Sequence, residues 1–312
     1  MRGAKPDTME SQAGARGRID NYHVVDRSPI GKTCGTYLVW DITRRRPATL
    51  KLAHAAGGPS SVAVLHETWI LGRLQHAGIP TLVDFGLAAD GRPWFASAPV
   101  RSKTIARLKD GLFLALEVAE MIGDVAEILD HAHQHGVIVR SLKPETIALR
   151  EAVEGMPTAI TDWSDAQVCG QRAPLFSADN AYLAPELARG DAGDQRADIY
   201  ALGAVAYWAL TGVSATSTPG IGSIGGRTIE PSYISVAERC PGAPAKLTAL
   251  IDQMLSLDPM NRPESCADVR DLAAQIVLED QDERIATRQI PAVVKRWLDA
   301  DQLATENDLV AV

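Results

Sequence analysis

The sequence predicts an α+β protein whose strands and helices occupy different parts of the chain, and three observations carry that prediction. Short strand-like runs bounded by turn residues follow one another between Tyr22 and Ser97. From Leu114 onward, apolar residues recur at helical spacing over long stretches. The stretch 197–211 is apolar all round, which marks a helix buried at the axis of a larger unit. With 312 residues, 46% hydrophobic and 22% charged, the chain has material for one large core or two medium ones.

Charge and cysteine usage narrow the function classes. A formal net charge of −8 argues against a nucleic acid partner, because such binding rests on Lys and Arg neutralising phosphates. Cys34, Cys169, Cys240 and Cys266 are scattered without a Cys-x-x-Cys, so they form neither a disulfide framework nor a zinc set. No apolar run reaches the roughly 18 residues of a membrane span, and no signal-peptide core is present. A cytoplasmic protein with no membrane span is the expectation.

Taken in order, residues 1–18 are polar, without periodicity, and read as a disordered tail. Ile30 to Leu38 reads as a turn between two strands, and Ala48 to Lys51 as the next strand. A helix follows, with Ser60 and Ser61 as candidate N-caps and Val64, Leu71 and Leu74 on one face. Thr81 to Leu87 is a strand leading into the Ala89-Asp90-Gly91-Arg92 turn, and Trp94 to Ser97 is its partner. Residues 112–135 form the clearest helix: Leu114, Val118, Met121, Val125, Ile128 and Ala132 share one face, and Gly136 is placed to end it. Strands at 146–149 and 158–161 come next. Past 278, Val293, Val294, Trp297 and Leu298 suggest a short amphipathic helix in a C-terminal tail, 279–312.

The stretch Val139-Arg140-Ser141-Leu142-Lys143-Pro144-Glu145-Thr146 resembles the catalytic loop of the Ser/Thr protein kinases, written His-Arg-Asp-Leu-Lys-Pro-x-Asn. Further motifs follow that family's order: Lys51, Glu67, Asp162-Trp163-Ser164 for its Asp-Phe-Gly, Ala184-Pro185-Glu186, Asp198 with Gly203, and Arg262. The resemblance covers 19–278, is closest to the Ser/Thr kinases of bacteria, and implies the bilobal protein kinase fold. It implies a small β-rich N-lobe over 19–97, a hinge at 98–100 and a large helical C-lobe over 101–278.

The same resemblance assigns roles. Gly31 and Leu38 fall in the glycine-rich loop over the nucleotide phosphates, where Thr33 and Thr36 replace two glycines, so that a plain hairpin turn is an equal reading. Lys51 contacts phosphates and pairs with Glu67. Ala98 and Val100 offer backbone groups to an adenine edge. Lys143 remains in the catalytic loop, and Asp162 and Thr146 stand where magnesium ligands belong. Asp84-Phe85-Gly86 precedes the catalytic loop instead of following it, so Asp84 is read as structural. Glu186 and Arg262 are expected to pair. Leu71, Val139 and Trp163 are expected in one apolar column, and Asp179 is a candidate partner of Lys143.

Ser141 replaces the catalytic Asp, and a serine hydroxyl cannot accept a proton at neutral pH as a carboxylate can. Losing a positioned base costs about 10²–10⁴-fold in rate. The resemblance therefore implies a pseudokinase that binds ATP and magnesium weakly and signals to a protein partner. A weakly or unconventionally active Ser/Thr kinase is the alternative, and a different phosphoryl or nucleotidyl transfer from ATP is a third reading.

Overall fold

In the computed structural model, the described residues are 17–28, 34–100, 102–108, 113–150, 156–169, 181–215 and 234–287. Six strands come first: β1 (Arg18–Ile19), β2 (Tyr22–Ser28), β3 (Cys34–Asp41), β4 (Arg46–Ala53), β5 (Leu82–Leu87) and β6 (Pro93–Ser97). They form one antiparallel sheet in the order β1-β2-β3-β4-β6-β5. The first strand takes in Arg18, at the edge of the stretch expected as tail, because Arg18 pairs with His23 across the opening turn.

Alternation along the strands separates two faces. Tyr37, Val39, Ala48, Leu50, Leu52, Trp94 and Ala96 join Tyr22 in a core on one face. Register places Thr36, Leu38, Thr49, Lys51 and Phe95 on the other. Helix α1 (Gly58–Leu71) packs against β4 and β6, so the second face carries both a buried end and an open one.

The start of α1 differs from the expectation. Ser60 and Ser61 lie inside the first turn, and Gly57 opens the helix at φ 80°, with Pro at an initial position. Two glycines at positive φ, Gly57 and Gly58, followed by Pro59, whose ring holds φ near the helical value, fix the start ahead of the serines. The Ser61 hydroxyl accepts from the Gly57 N–H (3.0 Å) and donates to the Ala55 carbonyl (2.8 Å), securing the approach to the helix.

After residues 98–100 the chain enters the helical lobe through β7 (Ser102–Thr104) and α2 (Ile105–Leu108). Helix α3 (Ala115–Gln134) buries Val118, Met121, Val125, Ile128 and Ala132 of the predicted stripe, whereas Leu114, expected to share it, is the exposed N-cap. Gly136, at φ 70°, lets the chain turn out of it. Four short strands, β8 (Val137–Ile138), β9 (Ile147–Arg150), β10 (Thr158–Ile160) and β11 (Gln167–Val168), follow. Pairing of β8 with β11 and β9 with β10 sets loops 139–146 and 161–166 side by side.

The remaining helices are α4 (Pro185–Ala188), α5 (Arg196–Thr211), α6 (Val236–Arg239), α7 (Ala245–Met254) and α8 (Cys266–Thr287). Helix α5 is buried along nearly its whole length, as an all-apolar helix must be. Helix α8 lies along α3 and runs past residue 278, where a separate tail was expected to begin. Nothing between 279 and 287 is a Gly or Pro, so the helix continues. Val293, Val294, Trp297 and Leu298 lie outside the described residues, as do Gly31 and Asp179. The arrangement is the bilobal one the motifs imply: a curled sheet with one helix, then a helical lobe.

Candidate functional site

Strand β4 puts Lys51 on the open face of the sheet, and α1 brings Glu67 to meet it. The Lys51 Nζ donates to Glu67 Oε1 at 2.6 Å and to Asp162 Oδ1 at 3.0 Å. Glu67 Oε1 also accepts the Trp163 N–H (3.0 Å), so one carboxylate ties together β4, α1 and loop 161–166. The Nε2–H of His66 adds a second tie by donating to the Ala166 carbonyl at 2.6 Å. Trp163 is fully buried, its indole N–H donating to the Ile160 carbonyl (3.0 Å). Leu71, Val139 and Trp163 are all buried within one hydrophobic cluster.

The electrostatics follow from the count of charges. Burial pushes the Glu67 carboxyl up to about 7, against the pull of Lys51 and with the added repulsion of Asp162. Burial also works to raise Asp162, but Lys51, with Lys143 behind it, outweighs that and holds Asp162 below the ordinary carboxylate range. Burial disfavours the Lys51 charge, and the two carboxylates outweigh it, so the ammonium is held charged above the ordinary lysine range. Among the described residues the Lys143 ammonium makes no ion pair.

The loop resembling a catalytic loop is pinned from below. Asp198, fully buried on α5, accepts from the N–H groups of Val139 (2.8 Å) and Arg140 (2.7 Å) and from His133 Nε2–H (2.8 Å). Arg140 sits at φ 61°, a conformation that costs a non-glycine residue of order 1–3 kcal/mol. The two charge-assisted bonds to its own and the preceding N–H offset that cost. The Arg140 guanidinium donates to the Asp165 carbonyl at 2.8 Å.

The groups that would act on a ligand point elsewhere. Ser141 is buried, with its hydroxyl 3.4 Å from the Asp162 carbonyl. The Thr146 hydroxyl donates to the Lys143 carbonyl (2.9 Å) and accepts the Lys143 N–H (3.1 Å). Both neutral side chains are thus committed to backbone within the two loops. This does not fit a pair of magnesium ions: among the described residues Asp162 is the one carboxylate at the positions the resemblance gives to magnesium ligands, and its Oδ1 already faces Lys51 and the Ser164 N–H (3.4 Å). No group of three or more His, Cys, Asp or Glu among the described residues could hold a metal ion. For a nucleotide, Leu38 and Lys51 share the open sheet face and Ala98 and Val100 are half-buried, while Thr49 puts a branched side chain on that face where the resemblance places a small residue.

Other expected residues fall into place as structure. Arg262 grips Glu186 with two bonds, 2.7 and 2.9 Å, and also donates to the Ser256 and Arg196 carbonyls. Asp84 accepts from the Tyr22 hydroxyl (3.2 Å) and faces Arg44, while Phe85 beside it is 64% exposed, so this Asp-Phe-Gly is a strand segment far from the paired loops. The Ala98 N–H donates to the Thr81 carbonyl (2.9 Å), which leaves its own carbonyl for another partner. Sequence reasoning missed His133 and His66. His133 had a signal, since it extends the buried Ile122, Ala126, Leu129 face of α3. His66 had none.

Residues 30–290 match the family model described as the protein kinase domain. Over 301 residues the chain is 29% identical to the serine/threonine-protein kinase PknB of Mycobacterium leprae, covering 91% of this chain and 46% of PknB. It is 30% identical over 219 residues to PknJ of Mycobacterium tuberculosis, covering 67% of this chain and 37% of PknJ. The chain therefore spans less than half the length of these relatives. The crystal structure of the M. tuberculosis PknI kinase domain superposes with a TM-score of 0.63 at 23% identity, over 84% of this chain and 97% of that one.

Proposed function

The chain belongs to the protein kinase family, and from that premise we propose that it is a pseudokinase: a nucleotide-binding module that signals to a protein partner through its shape. The observation that carries this reading is the fate of two side chains. Ser141 and Thr146 stand where a base and a metal ligand belong in the resemblance; Ser141 is buried with its hydroxyl 3.4 Å from the Asp162 carbonyl, and the Thr146 hydroxyl is bonded to the Lys143 carbonyl. Phosphoryl transfer depends on positioning and charge stabilisation around the nucleophile, and no group at position 141 can take its proton. Lys51, Glu67 and Asp162 are nevertheless assembled, which supports retention of a closed cleft able to hold ATP.

The retained Lys51, Lys143 and Asp162 also favour a second reading, a weakly active Ser/Thr kinase. Transfer of labelled γ-phosphate by the purified chain, with Mg²⁺ and with Mn²⁺, separates the two. The expected result is no incorporation above that of Lys51→Ala. Turnover in the wild type that Lys51→Ala abolishes would move the assignment to an active kinase. The partner is a protein, and among the described residues no helix is long and apolar enough to cross a membrane.

A further inference from the structure

Kinase-like sites that use magnesium need it to bring together two sets of negative charge, the protein carboxylates and the phosphates. The charge count here is different. Two ammonium groups, Lys51 and Lys143, face two carboxylates, Glu67 and Asp162, and position 141 contributes a hydroxyl where the resemblance would add a third carboxylate. These four charges balance before any ligand arrives. Among the described residues Lys143 makes no ion pair and acts on the site through its field at Asp162. Thr146 cannot turn to a metal without giving up its bonds to Lys143.

We propose that this cleft takes its nucleotide as the metal-free polyanion, with Lys51 and Lys143 supplying the positive charge that a divalent ion would otherwise bring. This rests on the nucleotide-binding reading above. A magnesium ion chelated to the phosphates would neutralise the charge the lysines are placed to meet. It would find one carboxylate, already shared with Lys51, as its protein ligand.

Calorimetric titration of the full chain with ATP in EDTA, and with ATP in excess Mg²⁺, tests the proposal. Affinity in EDTA is expected to equal or exceed that in Mg²⁺. Lys143→Gln should weaken metal-free binding by about tenfold or more, the scale of one charge-assisted contact, while Lys143→Arg keeps most of it. Binding that appears only with Mg²⁺, or tightens about tenfold on adding it, would overturn the proposal while leaving nucleotide binding standing. Absence of binding in both arms, by calorimetry and by thermal shift, would overturn the nucleotide reading and this proposal together. Equal loss in the Gln and Arg variants would show that Lys143 does not act through its charge.

Discussion

Two sets of polar residues line the same cleft and its foundations, and they are built to different rules. In the first set, Lys51 with Glu67, Asp198 with the Val139 and Arg140 N–H groups, and Glu186 with Arg262 each join elements far apart in the chain. In the second set, Ser141 and Thr146 bond to backbone within the adjoining loops. The charged groups of the first set are in place, and the two side chains at the base and second metal-ligand positions are neutral and turned inward. The difference teaches that in this chain the charged ties of the fold are kept while two residues at catalytic positions of the resemblance are replaced. Buried charges persist because removing one partner strands the other, whereas a catalytic carboxylate has no such hold on the fold.

The strongest way to break that comparison is at the foundation. The Arg262 side chain is fully buried and satisfied by a bidentate carboxylate and the Ser256, Arg196 and Leu257 carbonyls, with the Tyr200 ring 4.9 Å away. Arg262→Ala leaves the Glu186 carboxylate buried and unpaired, and should cost about 3–5 kcal/mol. Chemical denaturation of the two proteins measures it. A loss below about 1 kcal/mol, the scale of a surface pair, would mean that the pair is not structural and that the contrast fails.

Much of this was legible in the sequence, for a physical reason. An apolar stripe at 3.6 spacing is written in residue order, so the α3 face could be read directly. Lys51 with Glu67 and Glu186 with Arg262 were legible only through the resemblance, because a lone Lys and a lone Glu mark no pair. Orientation is not written that way. Nothing in a Thr says whether its hydroxyl faces a ligand or the preceding carbonyl, and the inward turn of Thr146 was invisible. The start of α1 was misplaced because Ser is a favourable cap and Gly57 followed by Gly58 and Pro59 is a subtler signal. The boundary expected at 278/279 carries no break in the backbone, because α8, packed on α3, runs on to Thr287.

Ser141→Asp sharpens the comparison from the other side. The position is 1% exposed and lies against the Asp162 carbonyl, so a carboxylate placed there enters a site shaped for a hydroxyl. Lys143 offsets part of the desolvation, and the net expectation is a loss of about 1–3 kcal/mol with phosphotransfer unchanged from the wild type. Changes at coupled positions are not undone one at a time. Phosphotransfer restored by this single change would mean that the remaining groups are already arranged for catalysis, and that the two sets obey one rule.

The smallest effect is the most specific, because it concerns a proton. Burial raises the Glu67 carboxyl from its ordinary value of 4.5 to about 7, so the folded protein binds that proton more tightly than the unfolded chain. Its contribution to stability is fully present below about pH 4.5 and is lost as pH rises through about 7. Asp162, whose carboxyl is held low, contributes in the opposite sense, stabilising above the ordinary carboxylate range and losing that as pH falls. Glu67→Gln keeps an oxygen to accept from Lys51 and from the Trp163 N–H while removing the charge. The variant should match the wild type near pH 5 and exceed it at pH 8, by of order 1 kcal/mol or about 2–4 °C in melting temperature. If the variant instead melts lower at pH 8, the ionised Glu67 stabilises the site and the carboxylate–lysine pair is a net support. A crossing of the two stability curves between pH 5 and 8 would place Glu67 among residues kept for geometry, with its charge tolerated at a cost.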